Sequence, residues 1–323
     1  MHPKSHREFS YDVHGLRLKS DVQLSRIEPL PGCHHSRGPD VAVRRGRSLE
    51  RPESETTLID SSEETVHIRS RFGTLTIGQN RVKMYPLQEV EYRSLFSYYA
   101  VYILGFLLHH RDSLTLHASA VEVDGGAVAF IGPKGMGKST TASVFYDRGH
   151  RILSDDMIAC RPRRDEAPQA DPGFPWMKLG DRALRGILGR DGDDLERSVP
   201  GSSKRIVPIH GQQPGRPLPL RRIYLLGYHE EEGQEVEIEP VDHKQACLLL
   251  LSQSFVQMFL DESAGPQHLD QCAALSRRVP VSALARPRSM DALPSVYGAV
   301  RRDLETPRST GEVTASPQQE HQA

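Results

Sequence analysis

The chain has 323 residues, of which 37% are hydrophobic and 26% are charged, and its formal net charge is -1. This composition is typical of a folded globular protein with enough apolar residues for a buried sheet, so it excludes a chain that is disordered throughout. Because the positive and negative charges are balanced, the chain has no excess positive charge to attract a polyanion. This argues against a nucleic-acid partner and against binding to a membrane surface.

The cysteines and the hydropathy pattern indicate the compartment. The four cysteines are widely spaced and include no CxxC pair, so they indicate neither a disulfide framework nor a zinc ribbon. The N-terminus lacks the apolar segment of a secretory signal. The most hydrophobic stretch, Leu95 to Leu108, is shorter than the roughly 20 residues that a membrane-spanning helix needs. We therefore expect a cytoplasmic protein in which this stretch is a buried helix.

Residues 1–88 are predicted to form an N-terminal β-rich accessory region. Short runs such as TVHIRS, TLTI and RVKMY place apolar residues at every second position, which is typical of antiparallel strands. Residues 31–64 are rich in Pro, Gly, Arg, Ser and Glu, and only VAVRR and TLID interrupt them. We predict a loop-heavy, variable insertion there, with little function.

Residues 89–305 are predicted to form the catalytic domain, and residues 306–323 a disordered tail. A helix at 89–110 leads into the alternating run LTLHASAVEV. A continuous apolar strand at 127–131 and a helix at 138–148 come next, and RILSDDMIACRP follows as another apolar strand.

Further elements are predicted downstream. WMKLGDRALRGILG predicts a short strand and a helix, and RRIYLLGY and EVEIEPV predict two more strands. Residues 191–215 are polar and are predicted to be irregular. Helices are predicted at 242–255, near 268–277 and near 292–304.

The motif GPKGMGKS, at Gly132–Ser139, gives the strongest chemical signal. A pattern that fixes two glycines, a lysine and a serine or threonine at these spacings should occur by chance in a chain of this length with a probability on the order of one per cent. A P-loop needs glycines where backbone N–H groups converge on phosphate, Lys138 to balance phosphate charge, Ser139 to ligate Mg²⁺, and a helix N-terminus at the anion. The alternative is a merely flexible glycine-rich turn. The residues predicted to bind the nucleotide are Gly132, Pro133, Lys134, Gly135, Met136, Gly137, Lys138, Ser139 and Thr140.

Asp155 and Asp156 are predicted to lie at the carboxyl end of a strand, where ligands bind in open α/β sheets. Two adjacent carboxylates there are costly without a cation. One of them can ligate Mg²⁺ while the other accepts a proton from an attacking hydroxyl, as phosphoryl transfer requires. Sequence alone does not say which carboxylate faces the metal. A solvated turn with two surface acids is the alternative.

Histidine supplies two weaker candidates. His117 interrupts an apolar, small-residue strand upstream of the loop, but a lone histidine on a strand is more often a satisfied core residue. Cys33-His34-His35 resembles a metal cluster, yet it has no distant partner at a known ligand spacing.

Two further pairs could contact an acceptor. Lys204 and Arg205 could reach a phosphate or an acidic acceptor, or they could form a solvated basic pair. Trp176 and Lys178 could line an acceptor groove, or their strand could simply contribute one aromatic residue to the core.

The segment from about Leu114 to Asp156 resembles the core of the HPr serine kinase/phosphorylase family, which is distantly related to ATP-dependent phosphoenolpyruvate carboxykinases. The shared order is a strand histidine (His117), a hydrophobic strand, a P-loop, a helix ending in RGH, and a strand ending in paired aspartates. RRIYLLG and VPVSALARPRS match more loosely. The resemblance implies an α/β fold with a P-loop kinase core of the HPr kinase/phosphoenolpyruvate carboxykinase type and an N-terminal β-rich region.

YDVHGLRLKSD and the long helix before LHASA are closer to the divergent HPr-kinase-like proteins, some of which are encoded beside lasso peptide precursors and phosphorylate a serine hydroxyl at the precursor's C-terminus. By this resemblance, Asp155 deprotonates the acceptor serine and Asp156 is a metal-associated carboxylate. His117 helps to organise the site, and Lys138 and Ser139 keep their P-loop roles, Ser139 as a metal ligand. The resemblance implies ATP and Mg²⁺ as cofactors, a peptide or small-protein acceptor, and by analogy a homo-oligomer.

One departure limits what the resemblance implies. The glycine- and glutamate-containing segment that follows the aspartates in true HPr kinases is replaced here by PGFPWMKLGD, so HPr itself is not expected as the substrate. The predicted function is an ATP-dependent kinase that phosphorylates a serine of a peptide or small protein, such as a lasso peptide precursor. A small-molecule kinase and a nucleotide-binding regulator without turnover remain as alternatives.

Overall fold

The computed structural model describes residues 8–24, 40–54, 56–62, 64–161, 166–198, 202–209, 213–229, 234–255 and 265–306. The Cys33-His34-His35 cluster, residues 31–39 of the predicted insertion and residues 307–323 of the predicted tail lie outside the described residues.

The chain is a mixed α/β protein, as the sequence predicts. The strands are β1 (Phe9–Val13), β2 (Leu16–Ser20), β3 (Val41–Arg45), β4 (Leu58–Ser61), β5 (Thr65–Ser70), β6 (Gly73–Gly78), β7 (Arg81–Pro86), β8 (Leu114–Leu116), β9 (Ala118–Val123), β10 (Gly126–Ile131), β11 (Ile152–Ser154), β12 (Ile158–Arg161), β13 (Gln169–Ala170), β14 (Trp176–Gly180), β15 (Lys204–Pro208), β16 (Leu218–Tyr228), β17 (Glu237–Val241) and β18 (Val281–Arg286). The helices are α1 (Tyr92–His109), α2 (Lys138–Asp147), α3 (Asp181–Leu188), α4 (His243–Ser252), α5 (Gly265–Arg278) and α6 (Leu293–Glu305).

The first seven strands form one sheet, in the order β1-β2-β3-β7-β6-β5-β4. Alternate side chains point into the core, so that Val66 and Ile68 on β5 and Val82 and Met84 on β7 are fully buried. α1 packs against this sheet and shares its hydrophobic core. The alternating pattern in the sequence therefore marks the inner face of the sheet, and the apolar stretch in α1 is a buried helix.

β3 and β4 lie in the segment that the sequence predicts to be a loop-heavy insertion. β3 pairs in parallel with both β2 and β7, so it is an interior strand of the sheet. Its residues Val41 and Val43 are fully buried. The prediction of an insertion is wrong for VAVRR, because its alternating valines supply an inward face even within a polar segment.

The second sheet is centred on β10, in which all six residues are buried. β10 lies antiparallel to β9 and parallel to β16, and β16 lies parallel to β18. Helices α2, α3 and α6 pack in the core on one face, and α4 and α5 pack in the core on the other. A strand covered on both faces is apolar throughout, which explains why AVAFI predicts it correctly.

Two segments predicted as single strands are each broken in two. LTLHASAVEV divides at His117 into β8, which pairs with β12, and β9, which pairs with β10 and β11. RILSDDMIACRP divides at Asp155 and Asp156 into β11 and β12. Because β8 pairs with β12 while β9 pairs with β11, the two breaks lie side by side. We call this place the strand junction.

The segment predicted to be irregular, residues 191–215, contains the strand β15. β15 pairs with β14 in an antiparallel hairpin, with Lys178 opposite Ile206 and Gly180 opposite Lys204. Val207 is buried in the core on the α2 side of the second sheet. The prediction failed because a single buried valine in a polar surrounding gives too weak a pattern.

Within the part of the chain that the structure describes, no helix combines the length and the apolar character needed to cross a bilayer.

A buried ion pair ties α6 to the second sheet. The Asp303 carboxylate accepts hydrogen bonds from Arg222 Nη1 at 3.0 Å and from the Tyr224 hydroxyl at 2.7 Å. We expect Asp303→Ala to lower the free energy of unfolding by about 3 kcal/mol, because it leaves a buried guanidinium without its counter-charge. Urea unfolding followed by circular dichroism measures this change.

The same helix offers a control. Arg301 Nη1 lies 2.8 Å from Asp124 Oδ2, but that carboxylate is largely exposed. Arg301→Ala should therefore change the free energy of unfolding by less than about 1 kcal/mol. Equal effects of the two substitutions would contradict the structural role of the buried pair.

Candidate active site

The loop between β10 and α2 has the backbone of an anion cradle. Gly132, Gly135 and Gly137 have φ angles of 141°, 94° and 79°, which side-chain-bearing residues rarely adopt. A Cβ atom at position 132 would also lie 3.1 Å from the Leu226 carbonyl oxygen. The glycines therefore allow the tight turn that aims backbone N–H groups and the start of α2 at a common point.

Lys138 lies at the first position of α2 and is buried. Its Nζ donates to the Gly132 carbonyl at 2.6 Å and to the Pro133 carbonyl at 3.2 Å. Burial lowers the pKa of Lys138 to about 8, although the nearby Asp156 raises it. The ammonium group is thus held across the loop by neutral carbonyls, and an anion bound in the loop would stabilise its charge.

The other predicted loop residues surround this point. Pro133, Lys134 and Gly135 are exposed at the tip of the loop, whereas Met136 is half-buried. Ser139 and Thr140 are half-buried in the first turn of α2.

Asp155 accepts hydrogen bonds only from neutral groups among the described residues. The Ser119 hydroxyl donates to its Oδ1 at 2.5 Å, the Lys178 backbone N–H donates to its Oδ2 at 2.8 Å, and the Ser139 hydroxyl is a further donor. Burial raises the pKa of Asp155, and the neighbouring Asp156 raises it further. Asp155 is therefore a half-buried carboxylate that a cation beside Ser139 would stabilise.

Asp156 has a different environment, although it is the next residue. Its φ angle of 68° turns the chain sharply at the strand junction. Lys178 Nζ lies 2.8 Å from its Oδ2. Burial opposes ionisation, but the charge and hydrogen bond of Lys178, together with the charge of Lys204, outweigh it and lower the pKa of Asp156 to about 2. Asp156 is thus an ionised carboxylate at neutral pH.

His117 lies at the strand junction beside the two aspartates. Its backbone N–H donates to the Gln253 carbonyl at 2.7 Å, and its ring meets the Phe255 ring edge-on at 5.1 Å between centroids. Burial and the charge of Lys138 lower the pKa of His117 to about 4. The imidazole is therefore neutral at physiological pH.

Of the four residues proposed to contact an acceptor, two lie near Asp156 and two make other contacts. Lys178 pairs with Asp156, and Lys204 is exposed but close enough to influence it. Arg205 points elsewhere and pairs with Asp181 at 3.3 Å. Trp176 is only 7% exposed and stacks on Phe174, so it is the core aromatic residue of its strand and does not line a groove.

Sequence reasoning missed two residues that support the loop from behind. Arg286, at the end of β18, is buried and donates from Nη2 to the Met136 carbonyl at 3.2 Å. The Tyr228 hydroxyl, at the end of β16, donates to the Gly135 carbonyl at 3.5 Å. Tyr228 lies in RRIYLLGY and Arg286 lies in VPVSALARPRS, and both segments resemble the family only loosely. The sequence feature that could have identified them is a charged or aromatic residue at the end of an apolar run.

No cluster of three or more His, Cys, Asp or Glu side chains exists among the described residues that could hold a metal ion by itself. Mg²⁺ beside a nucleotide usually takes only one or two protein ligands, with phosphate oxygens and waters completing its octahedron. Asp155 and Ser139 fit this pattern, because the Ser139 hydroxyl is hydrogen-bonded to the Asp155 carboxylate.

Three curated proteins named HPr kinase/phosphorylase match the chain locally. The protein of Caldanaerobacter subterraneus is 42% identical over 48 residues, which are 15% of this chain and 16% of that protein. The protein of Peptoclostridium acidaminophilum is 39% identical over 54 residues, 17% and 18% of the two chains, and that of Treponema pallidum is 41% identical over 46 residues, 14% of each. Each match spans less than a fifth of the relative's length.

Comparisons with family models and with solved structures add little to these local matches. No family model matches the chain. The solved structure of the Hpr(Ser) kinase/phosphatase of Coxiella burnetii aligns with a TM-score of 0.32 and 11% identity, over 58% of this chain and 89% of that one. Over these short segments the chain is similar to HPr kinase/phosphorylases.

Proposed function

We propose that the protein is a kinase that transfers the γ-phosphate of ATP to a serine hydroxyl of a peptide or small protein, such as a lasso peptide precursor. The observation that carries the proposal is the convergence of the 132–139 loop with Asp155, Asp156 and Lys178 at the strand junction. An anion cradle beside paired carboxylates has the two parts that phosphoryl transfer needs, one for the donor and one for the acceptor.

The donor would be held by charge and by backbone N–H groups. The glycines of the loop leave these groups free of side-chain obstruction, and α2 has no side-chain cap at its N-terminus. A polyphosphate would accept from this cradle and from Lys138, whose ammonium group now contacts two carbonyls. Lys138 would then neutralise charge on the transferred group.

Mg²⁺ would be held by Asp155 and Ser139. A divalent cation there neutralises the negative charge that develops on the phosphate oxygens. The contacts of Asp155 favour this role, because it is half-buried and, among the residues that the structure describes, the groups that donate to it are neutral. This assignment reverses the one implied by the family resemblance, in which Asp156 is the metal-associated carboxylate.

Asp156 would orient the acceptor hydroxyl and accept its proton. It is ionised and lies close to Lys138, which holds the phosphate in this proposal. Lys178 and the neutral His117 would fix the position of the carboxylate. The exposed Lys204 adds a positive charge on this side, which suits an acceptor serine near a C-terminal carboxylate.

Lys178→Met should shift the acid limb of the pH profile of kcat to higher pH. The Lys178 ammonium group is the main cause of the lowered pKa of Asp156, and burial alone would raise that pKa. Without Lys178, Asp156 therefore becomes protonated at a higher pH and stops accepting the proton. Initial rates measured between pH 4 and about 8 test this shift, and an unchanged acid limb would separate Lys178 from the function of Asp156.

The proposed function is tested by incubating the purified protein with labelled ATP, Mg²⁺ and a precursor peptide encoded beside its gene. Mass spectrometry should detect one added phosphate on a serine, and Asp156→Asn should abolish it. Phosphate transfer to a metabolite but to no peptide would identify a small-molecule kinase instead. Nucleotide binding without any transfer would indicate a regulator.

A further inference from the structure

We propose that the nucleoside of the phosphate donor lies in a groove on the β16 side of the 132–139 loop, with its base stacked beside Tyr228 and Arg288. This inference rests on the proposed function, since it supposes that the loop binds a nucleoside triphosphate. The groove has a volume of about 1020 Å³ and is lined in part by Pro133, Met136, Leu249 and Gln253.

Sheet order places the Tyr228 end of the groove across β10 from the strand junction, whereas Gln253 at its other end accepts from the His117 backbone N–H. β10 leads into the loop and lies between β9 and β16. The strand junction is on the β9 and β11 side, whereas Tyr228 ends β16 and Arg286 ends the neighbouring parallel strand β18. A triphosphate bound in the loop with its γ-phosphate at the aspartates must therefore direct its α-phosphate toward the β16 side.

The groove is continuous with the loop. Pro133 and Met136 belong to the loop and also line the groove, so a ligand can contact both without crossing solvent. Leu225 and Leu226 add apolar surface at the end of β16. Binding sites for small molecules are commonly about 300 to 1,000 Å³ and mostly apolar, so the groove is large enough for a base and a ribose.

Tyr228 and Arg288 supply the chemistry that binds an aromatic base. The Arg288 guanidinium carbon lies 4.7 Å from the centroid of the Tyr228 ring, and that of Arg286 lies 4.8 Å from it. Arg286 is buried and bonded to the loop, whereas Arg288 is exposed at the groove. Aromatic rings and guanidinium planes both stack on nucleobases. The pair therefore places an aromatic ring and an exposed guanidinium group together at the mouth of the groove.

The test compares the binding of ATP with the binding of inorganic tripolyphosphate, each with Mg²⁺, by isothermal titration calorimetry. The wild-type protein should bind ATP about tenfold more tightly than tripolyphosphate, because stacking of one base contributes about 1–3 kcal/mol. Arg288→Ala should remove most of this advantage and leave tripolyphosphate binding unchanged. Tyr228→Leu should lose the preference for ATP relative to Tyr228→Phe, because both variants lack the hydroxyl that contacts Gly135 and only the second keeps the ring.

Tyr228→Phe is the matched control. It keeps the ring but removes the hydroxyl that contacts Gly135, so the preference for ATP should persist. Unchanged tripolyphosphate binding also reports that the loop of each variant is correctly folded.

The outcomes separate this inference from the proposed function. Equal binding of ATP and tripolyphosphate by the wild-type protein, or an undiminished preference for ATP in both Tyr228→Leu and Arg288→Ala, would overturn the groove assignment alone. Failure of the wild-type protein to bind either ligand would overturn the proposed function together with the groove. A rise in the KM for the acceptor peptide with unchanged ATP affinity would show that the groove receives the acceptor.

Discussion

Lys138→Met should lower kcat/KM for phosphate transfer by about 10³-fold, which corresponds to about 4 kcal/mol of lost transition-state stabilisation. Lys138 is the buried cation of the 132–139 loop, and its Nζ now contacts the Gly132 and Pro133 carbonyls. Methionine has a similar length but no charge, so it leaves the negative charge on the transferred phosphate without its partner. Initial rates at varied ATP concentration measure the loss.

Lys83→Met provides the comparison for this substitution. Lys83 is exposed on β7, in the first sheet, and should leave kcat/KM within about twofold of the wild-type value. If the activity of Lys138→Met were within tenfold of that of Lys83→Met, the 132–139 loop would not bind the phosphate that is transferred.

Substitution of the two aspartates should give two different kinetic defects. Asp156→Asn should lower kcat by about 10²- to 10⁴-fold, since the acceptor hydroxyl loses the group that takes its proton. Asp155→Asn should instead raise the Mg²⁺ concentration needed for half-maximal rate by about tenfold or more, because the amide is a weaker ligand than a carboxylate. The basis for the difference is that Asp156 is paired with Lys178, whereas the donors to Asp155 among the described residues are neutral.

Rates measured as a function of Mg²⁺ concentration for both variants decide between the two assignments. The reverse pattern, with the raised Mg²⁺ requirement in Asp156→Asn, would restore the roles that the family resemblance implies. Identical defects in both variants would mean that the carboxylates act as one unit.

The elements nearest the loop could be predicted because their signals are local. AVAFI is apolar at every position, as expected for a strand buried on both faces, and the glycines and lysine of GPKGMGKS have fixed spacings. α1 was also predictable, since its length and apolar content both indicate a buried helix.

The strand junction could not be predicted from the sequence, because it depends on pairing between distant segments. LTLHASAVEV is predicted as one run, and nothing in it shows that residues before and after His117 pair with different strands. The role of Lys178 has the same origin. Its contact with Asp156 is made across a separate hairpin, whose second strand lies in a segment with a weak hydrophobic pattern.

The strand junction also affects how the protein can diverge. Each of the two chain segments is held in register on both sides of its break, by β8 with β12 on one side and by β9 with β11 on the other. The register of both strand pairs is therefore set outside the breaks. Selection at His117, Asp155 and Asp156 can follow the chemistry of the site, because the backbone pairing that carries these residues is fixed elsewhere.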